Sequence, residues 1–425
     1  MTGPRPASIS KETIFTYAAP GLKFGRGAST EIGWDVQELC RGVARRVLVV
    51  TDPGVAATGH PDRIADAMRS RGLEVTSYDR ARVEPTDASC EDAIAFARAE
   101  GPFDAVVAVG GGSAIDTAKA VNLLLTNDGE LMDYVNVPVG LGRAPEKPLL
   151  PLVAVPTTTG TGAESTTICV LDVLALKVKT GISHARLRPT LAVVDPDLTM
   201  TQPAMVTASC GMDILCHALE SYTARWFGAF GAKQPEQRVP YCGANPIADM
   251  WAEKSLSLLA GSFREAVRDG SDGGAREQMA LAATFAGLGF GNAGVHVPHA
   301  CAYPIAGRVR DYRPAGYPAD EPMVPHGMAV VMTAPAAFAL TFEASPERHR
   351  RAAELLGGRD LPTVLRGLIR DVGLPSGLAE IGYGSSDVDD LVEGALKQQR
   401  LLAVAPIDVT PDDLAAVFMG SLEHW

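Results

Sequence analysis

The sequence lacks any run of about twenty apolar residues, the length a membrane-spanning helix requires. Its most apolar stretches, 105–109 and 329–340, are short or broken by threonine and proline. Basic charge is also in short supply: 38 Lys and Arg face 50 Asp and Glu, for a formal net charge of -12. Neutralising a nucleic-acid backbone takes a concentrated basic face. Only Arg41, Arg45 and Arg46 cluster, at a helix end leading into an apolar run, so no nucleic-acid partner is expected. The seven cysteines are odd in number, scattered and without a CxxC pair, which argues against a disulfide framework or zinc ribbon and fits a reducing compartment. The first 23 residues have no apolar run for a secretion signal, and Glu12 with few arginines speaks against a transit peptide. A cytoplasmic location is expected, or the mitochondrial matrix in a eukaryotic source.

What is present is a globular composition, 46% hydrophobic and 21% charged, with a mean hydropathy of +0.08. At 425 residues the chain exceeds one ordinary hydrophobic core, so two domains are expected. From Val47 to about Asp197, short apolar runs (47–51, 105–109, 152–155 and 191–194) alternate with amphipathic helical stretches at 62–71 and 90–100. That alternation predicts a parallel sheet covered by helices on both faces. Beyond the proline-bearing segment 195–203, alanine- and leucine-rich stretches at 248–260, 275–287 and 346–356 predict an all-α half. The boundary is placed near Thr201, giving an α/β dinucleotide-binding domain over 1–201 and an α-helical metal-binding and substrate domain over 202–425. Two irregular insertions, 226–245 and 311–325, are expected to line a substrate entrance.

One motif runs from a buried strand through Gly110, Gly111 and Gly112 to Ser113, Asp116 and Lys119 on a helix. Successive glycines let backbone approach a ligand closely, and the helix N-terminus offers free N–H groups and a positive dipole end to a pyrophosphate. A tight connection is the plainer alternative. After the next strand, Thr157, Thr158, Thr159 and Thr161 bring hydroxyls that suit phosphate and ribose oxygens. Asp52, ending the first strand, would accept hydrogen bonds from a ribose diol and repel a 2′-phosphate, favouring NAD over NADP, or would simply cap a turn before Pro53.

A second constellation follows. Asp213 and His217 stand four apart in a helical stretch with Ile214, Leu215, Ala218 and Leu219, so they share one face of a buried helix. A buried carboxylate needs a partner, and a divalent cation would serve. Of eight histidines, three more fall in two later turns, His296 and His299 in one and His326 in the other. Asp213, His217, His299 and His326 make a plausible four-ligand set for Fe(II), with Zn(II) as the alternative. His296 is left outside it, either as a residue supporting the ligands from further out or as a satisfied core histidine.

The motifs 110–119, 156–164, 211–220 and 325–327 together resemble the iron-containing alcohol dehydrogenases over nearly the whole chain. The resemblance implies an α/β nucleotide-binding domain with a parallel sheet, an α-helical C-terminal domain and a metal in the cleft between them, the architecture shared with dehydroquinate synthase. Asp213, His217, His299 and His326 match the family's metal ligands. Asp52, Gly110, Gly111, Gly112, Ser113, Thr157, Thr158 and Lys179 match its cofactor-contacting positions, and Asp116 and Thr161 lie within the same motifs. Runs at 216–223, 243–249, 285–296 and 346–349 resemble a branch that oxidises a hydroxy acid such as 4-hydroxybutyrate and passes the hydride through NAD to an oxoacid such as 2-oxoglutarate. An ordinary NAD-dependent alcohol or lactaldehyde dehydrogenase and a lyase of the dehydroquinate synthase type are the other readings. Where many members carry a second histidine four residues after the third ligand, this chain has Tyr303, which either relays a proton and orients substrate or packs as a core aromatic. Arg308, Arg310 and Arg313 are candidates for holding a substrate carboxylate. A homo-oligomer, by default a dimer, is expected.

Overall fold

A computed structural model describes residues 11–176, 178–238, 240–319 and 322–425. Among the described residues of the first half there are eight strands: β1 (Gly21–Phe24), β2 (Arg46–Val50), β3 (Glu74–Tyr78), β4 (Ala105–Gly110), β5 (Leu152–Pro156), β6 (Ile168–Val173), β7 (Val178–Ser183) and β8 (Leu191–Val194). Six of them form one parallel sheet in the order β1-β8-β5-β4-β2-β3, and β6 and β7 pair as a separate antiparallel hairpin. The four apolar runs read from the sequence become β2, β4, β5 and β8, the four inner strands. They are buried on both faces, which is why their residues are continuously apolar.

The helices of this half are α1 (Ile32–Leu39), α2 (Pro53–Ala56), α3 (His60–Arg69), α4 (Asp87–Glu100), α5 (Gly112–Thr126) and α6 (Leu131–Tyr134). From β2 the chain passes outward to β3, then returns to β4 on the other side of β2. The connections therefore diverge between the carboxyl ends of β2 and β4, the crevice where open α/β sheets bind ligands. Asp52 and the glycine turn are the residues that leave those two strand ends.

After the last strand the chain is helical: α7 (Ala204–Thr223), α8 (Pro246–Arg268), α9 (Gly273–Ala293), α10 (Val297–Gly307), α11 (His326–Thr341), α12 (Pro346–Leu355), α13 (Leu361–Asp371), α14 (Val388–Leu396), α15 (Gln399–Leu402) and α16 (Pro411–Met419). α7 is buried on nearly every side from Thr207 onward, among α8, α9 and α11. The segment His326–Ala344 is apolar and long enough to cross a membrane, yet 67% of it is buried inside the helical bundle. Among the described residues, the first insertion carries single helical turns at Phe227–Ala229 and Pro235–Gln237 and a bridge between Trp226 and Ala244, and the second carries no helix or strand.

Candidate active site

Two adjoining cavities lie at the carboxyl end of the sheet, facing the helical half. The larger, about 1060 Å³, is lined by Asp52, Gly111, Gly112, Ser113, Thr157, Thr158, Thr161 and Lys179 from the α/β half, and by Asp213 and His326 from the helices. The smaller, about 120 Å³, is lined by Asp213, His217, His299, His326 and Tyr303, with Asp116, Tyr241 and Arg400.

The larger cavity has the features of a dinucleotide cradle. Gly111 caps the start of α5 without a side-chain hydrogen bond, leaving the first N–H groups of a fifteen-residue helix to be satisfied by a ligand. A Cβ on Gly112 would meet the Thr161 side chain at 2.7 Å, so only glycine lets the turn and the threonine loop lie this close. The Thr157 hydroxyl is buried with no partner in the protein. Asp52 caps α2, its Oδ1 accepting the Val55 N–H at 2.9 Å, while burial pushes its pKa up. Capping thus uses one carboxylate oxygen, and Asp52 still lines the cavity. Gly110 lines neither cavity; its carbonyl accepts the Thr157 N–H at 3.0 Å and ties the two loops together.

Lys179, on β7, is buried between two carboxylates, at 3.0 Å from Asp172 and in direct contact with Glu84. Although burial opposes it, those two charges raise its pKa, and the ammonium stays charged at the junction of the cavities. Asp116 is committed to the scaffold: Oδ1 accepts Lys119 Nζ at 3.1 Å and Oδ2 accepts the Val170 N–H at 2.9 Å. Lys119 in turn donates to the Ile168 carbonyl at 2.6 Å, so the pair bolts the β6–β7 hairpin onto α5.

The carboxylate and imidazoles read from the sequence converge. One oxygen of Asp213 and one nitrogen each of His217 and His299 lie within 4.8 Å of one another, all three side chains buried. His326 Nε2 sits 3.9 Å from Asp213 Oδ1, beside the three and more exposed than they are. A four-residue spacing on α7 sets Asp213 beside His217, and the flat face of Phe290 stacks on His217 at 3.8 Å. His326 is the first residue of α11, and its approach depends on Gly327, where a Cβ would lie 2.0 Å from the Ser209 carbonyl and 2.8 Å from Asp213 Cβ.

Asp213 Oδ1 and His299 Nε2 are buried polar atoms without hydrogen-bond partners, and His217 Nε2 faces the same Asp213 oxygen at 3.6 Å. Such orphans are costly unless something absent from the protein itself satisfies them, and their chemistry is that of a divalent transition-metal site. Against its own burial, Asp213 is held far below the usual carboxylate range by His217 and His326. Burial takes the His217 imidazole down to about 3 despite Asp213. His299 moves the other way, to about 9, because Glu220 and Asp213 outweigh its burial.

Glu220 was not singled out by the sequence reading. It lies seven residues after Asp213 on the same face of α7, fully buried, and its Oε1 accepts the N–H groups of His296 at 2.7 Å and His299 at 3.2 Å. An i, i+4, i+7 series of ionisable residues on an apolar helix was the available signal. His296 stands outside the cluster, its Nε2 3.0 Å from the Thr223 hydroxyl and its ring edge-on to Phe338. Tyr303 lines the smaller cavity edge-on to His326, at 6.3 Å between ring centres, and burial pushes its phenol up to about 12.

The arginines proposed to hold a substrate carboxylate do not reach either cavity. Arg308 pairs with Asp390, Arg310 with Asp387, and Arg313 donates to the carbonyls of Ala319 and Asp311. They follow α10, and eleven residues of helix at 1.5 Å each carry the chain roughly 16 Å past the start that bears His299.

A nucleotide cradle at the switch point of a parallel sheet, facing a buried carboxylate–imidazole cluster on helices, defines a metal-dependent dehydrogenase. The chain belongs to the iron-containing alcohol dehydrogenase family: residues 20–196 match the model for iron-containing alcohol dehydrogenase, and residues 236–422 match that for the C-terminal part of the Fe-containing alcohol dehydrogenase family. It is an iron-dependent oxidoreductase. It is 42% identical over 437 residues to the mitochondrial hydroxyacid-oxoacid transhydrogenase of Rattus norvegicus, covering 100% of this chain and 93% of that protein. Among solved structures it is similar to a 1,3-propanediol oxidoreductase (TM-score 0.83, 31% identity, 96% of this chain and 100% of that one). It is also similar to sulfoacetaldehyde reductase from Bifidobacterium kashiwanohense in complex with NAD+ (TM-score 0.79, 27% identity, 96% and 98%).

Proposed function

We propose that this enzyme oxidises a hydroxy acid of the 4-hydroxybutyrate kind and delivers the hydride, through NAD in the larger cavity, to an oxoacid of the 2-oxoglutarate kind. The observation that carries the reading is the full-length likeness to the rat hydroxyacid-oxoacid transhydrogenase. The first half-reaction moves a hydride from the hydroxyl-bearing carbon to NAD and releases a proton from the hydroxyl, leaving an aldehyde. The second returns the hydride to the carbonyl carbon of the oxoacid, whose oxygen takes up a proton.

Asp213, His217, His299 and His326 would hold Fe(II), which supplies Lewis-acid polarisation of the substrate oxygen. The nicotinamide supplies the hydride acceptor and donor. Around them, Gly111, Gly112 and Ser113 seat the pyrophosphate at the start of α5, Gly110 ties that turn to the Thr157, Thr158 and Thr161 loop, and Asp52 receives the ribose hydroxyls. Lys179 fixes a positive charge where the two cavities meet, Asp116 braces it through the hairpin, and Tyr303 lines the substrate side. Holding the reacting groups in this order removes the entropy of bringing them together. The same reading divides the chain near Thr201 and places it in the cytoplasm, or in the mitochondrial matrix of a eukaryote.

The test is to incubate Fe(II)-loaded protein with NAD and 4-hydroxybutyrate, with and without 2-oxoglutarate, following NADH absorbance and 2-hydroxyglutarate together. Product formed only with the oxoacid, with little free NADH, is the expected result. NADH accumulating without the oxoacid would instead make this an ordinary dehydrogenase, the activity that the name of its structural relative 1,3-propanediol oxidoreductase describes for that protein.

A further inference from the structure

A substrate acid brings a carboxylate as well as a hydroxyl, and the small cavity that holds Asp213, His217 and His299 has two cations in its wall, Lys179 and Arg400. Lys179 is spent on Glu84 and Asp172. Arg400, in the short helix α15, is paired with no carboxylate among the described residues. Its guanidinium instead lies 4.5 Å from the ring centre of Tyr241, and Tyr241 and Tyr303 line the same cavity. Stacking on the aromatic face, with the Tyr241 hydroxyl also interacting with the guanidinium, orients the planar fork and leaves its remaining edge N–H groups for an oxyanion.

The protein strains its backbone to put that ring there. Tyr241 has φ +71°, a left-handed conformation that a bulky residue rarely adopts. Its N–H is tied to the Asn292 carbonyl at 2.9 Å. Opposite, Gly294 makes room: a Cβ there would press on the Tyr241 ring at 3.0 Å. Asn292 lies at the end of α9, and Gly294 opens the turn that leads into α10 and His299. The piece of chain that carries His299 thus also holds the stacking platform for Arg400 in place.

We infer that Arg400, oriented by Tyr241, is the carboxylate-binding residue of the substrate cavity, receiving the acid group of the hydroxy acid or oxoacid whose other end faces Asp213, His217 and His299. The inference rests on the acid-substrate reading above and adds the residue that selects for it. The other arginines near the site serve elsewhere: Arg80 pairs with Asp92 at 3.3 Å, and Arg82 lines the cofactor-side cavity rather than this one.

The test compares wild type with R400M and R400K, iron-loaded and NAD-bound. Two readouts are taken: the KM for 4-hydroxybutyrate relative to that for 1-butanol, and the Kd of glutarate, a dicarboxylate probe, by calorimetry. R400M is expected to raise the KM ratio about ten- to a hundredfold and to weaken glutarate by a similar factor, with R400K between. Equal changes in both KM values, or a glutarate Kd that does not move, overturns the assignment. Should wild type oxidise 1-butanol but not 4-hydroxybutyrate, the acid-substrate reading fails while the glutarate titration still decides the role of Arg400. Y241L, which removes the platform but keeps the charge, should shift the same ratio in the same direction.

Discussion

The Nδ1 of His299 and a carboxylate oxygen of Glu220 are in direct hydrogen-bond contact, two turns along α7 from Asp213, whose Oδ1 is approached by His299 Nε2 at 3.5 Å. The carboxylate fixes which imidazole nitrogen carries the proton and so turns the other toward the metal position. E220Q keeps the shape of the side chain and loses the charge. Its Fe(II) affinity, measured by competition with a chelator, should fall about ten- to a hundredfold, as removal of such supporting carboxylates does elsewhere. An unchanged affinity would reduce Glu220 to a helix-packing residue.

Gly327 makes a second, steric prediction. G327A would drive a methyl group into the Ser209 carbonyl and Asp213 Cβ, forcing the start of α11 away from α7. Overpacking of this kind costs about 1–3 kcal/mol. Both the denaturation midpoint and the Fe(II) affinity should drop, because His326 moves with the helix. Loss of stability alone, with metal affinity intact, would separate His326 from the metal.

For the cofactor, D52N preserves the oxygen that caps α2 and removes the negative charge. The preference for NAD over NADP, as a ratio of Kd values, should fall by about tenfold, roughly 1.4 kcal/mol. A ratio that stays fixed would leave Asp52 as a turn cap and nothing more.

Glu164 is buried in the threonine loop, and burial raises its pKa from 4.5 to about 7 against its own backbone N–H and Lys119, which both favour the ionised form. The folded protein therefore holds a proton that the unfolded chain releases. Stability from this group is complete below pH 4.5 and is lost as the pH rises through 7, by at most about 3.5 kcal/mol at ~1.4 kcal/mol per pKa unit. E164Q should follow wild type at pH 4.5 and exceed it at pH 8 in denaturation midpoint. Parallel curves across that range would show that Glu164 is ionised throughout.

Legibility of this molecule in its sequence followed the physics of each element. β2, β4, β5 and β8 are flanked by strands and covered on both faces, so their residues are apolar without interruption and easily recognised. β1 and β3 lie at the sheet edges, where exposed or half-buried positions admit Lys23, Glu74 and Ser77, and no apolar run marks them. The β6–β7 hairpin escaped because Asp172 and Lys179 turn ionisable groups inward to meet each other. Asp213 and His217 were visible through helical spacing, and His326 through the turn Pro325-His326-Gly327. Glu84 (φ 57°), Tyr241 and Arg400 reach the site from turns and a four-residue helix far apart in the chain. No local pattern links such residues. Closeness to His299 in sequence misdirected attention to Arg308, Arg310 and Arg313, since a helix turns nearness along the chain into distance.

The two cavities share walls: Glu84, Gly112, Ser113, Thr161, Lys179, Asp213 and His326 line both. A dinucleotide filling the larger one would therefore complete the floor of the smaller. On the transhydrogenase reading proposed above, the kinetic consequence would be a fixed order of arrival, in which the coenzyme comes first and organic acids follow. Alternating acids would then exchange through the smaller chamber while the larger stays filled, and one bound coenzyme molecule would serve as a reusable relay instead of a consumed substrate.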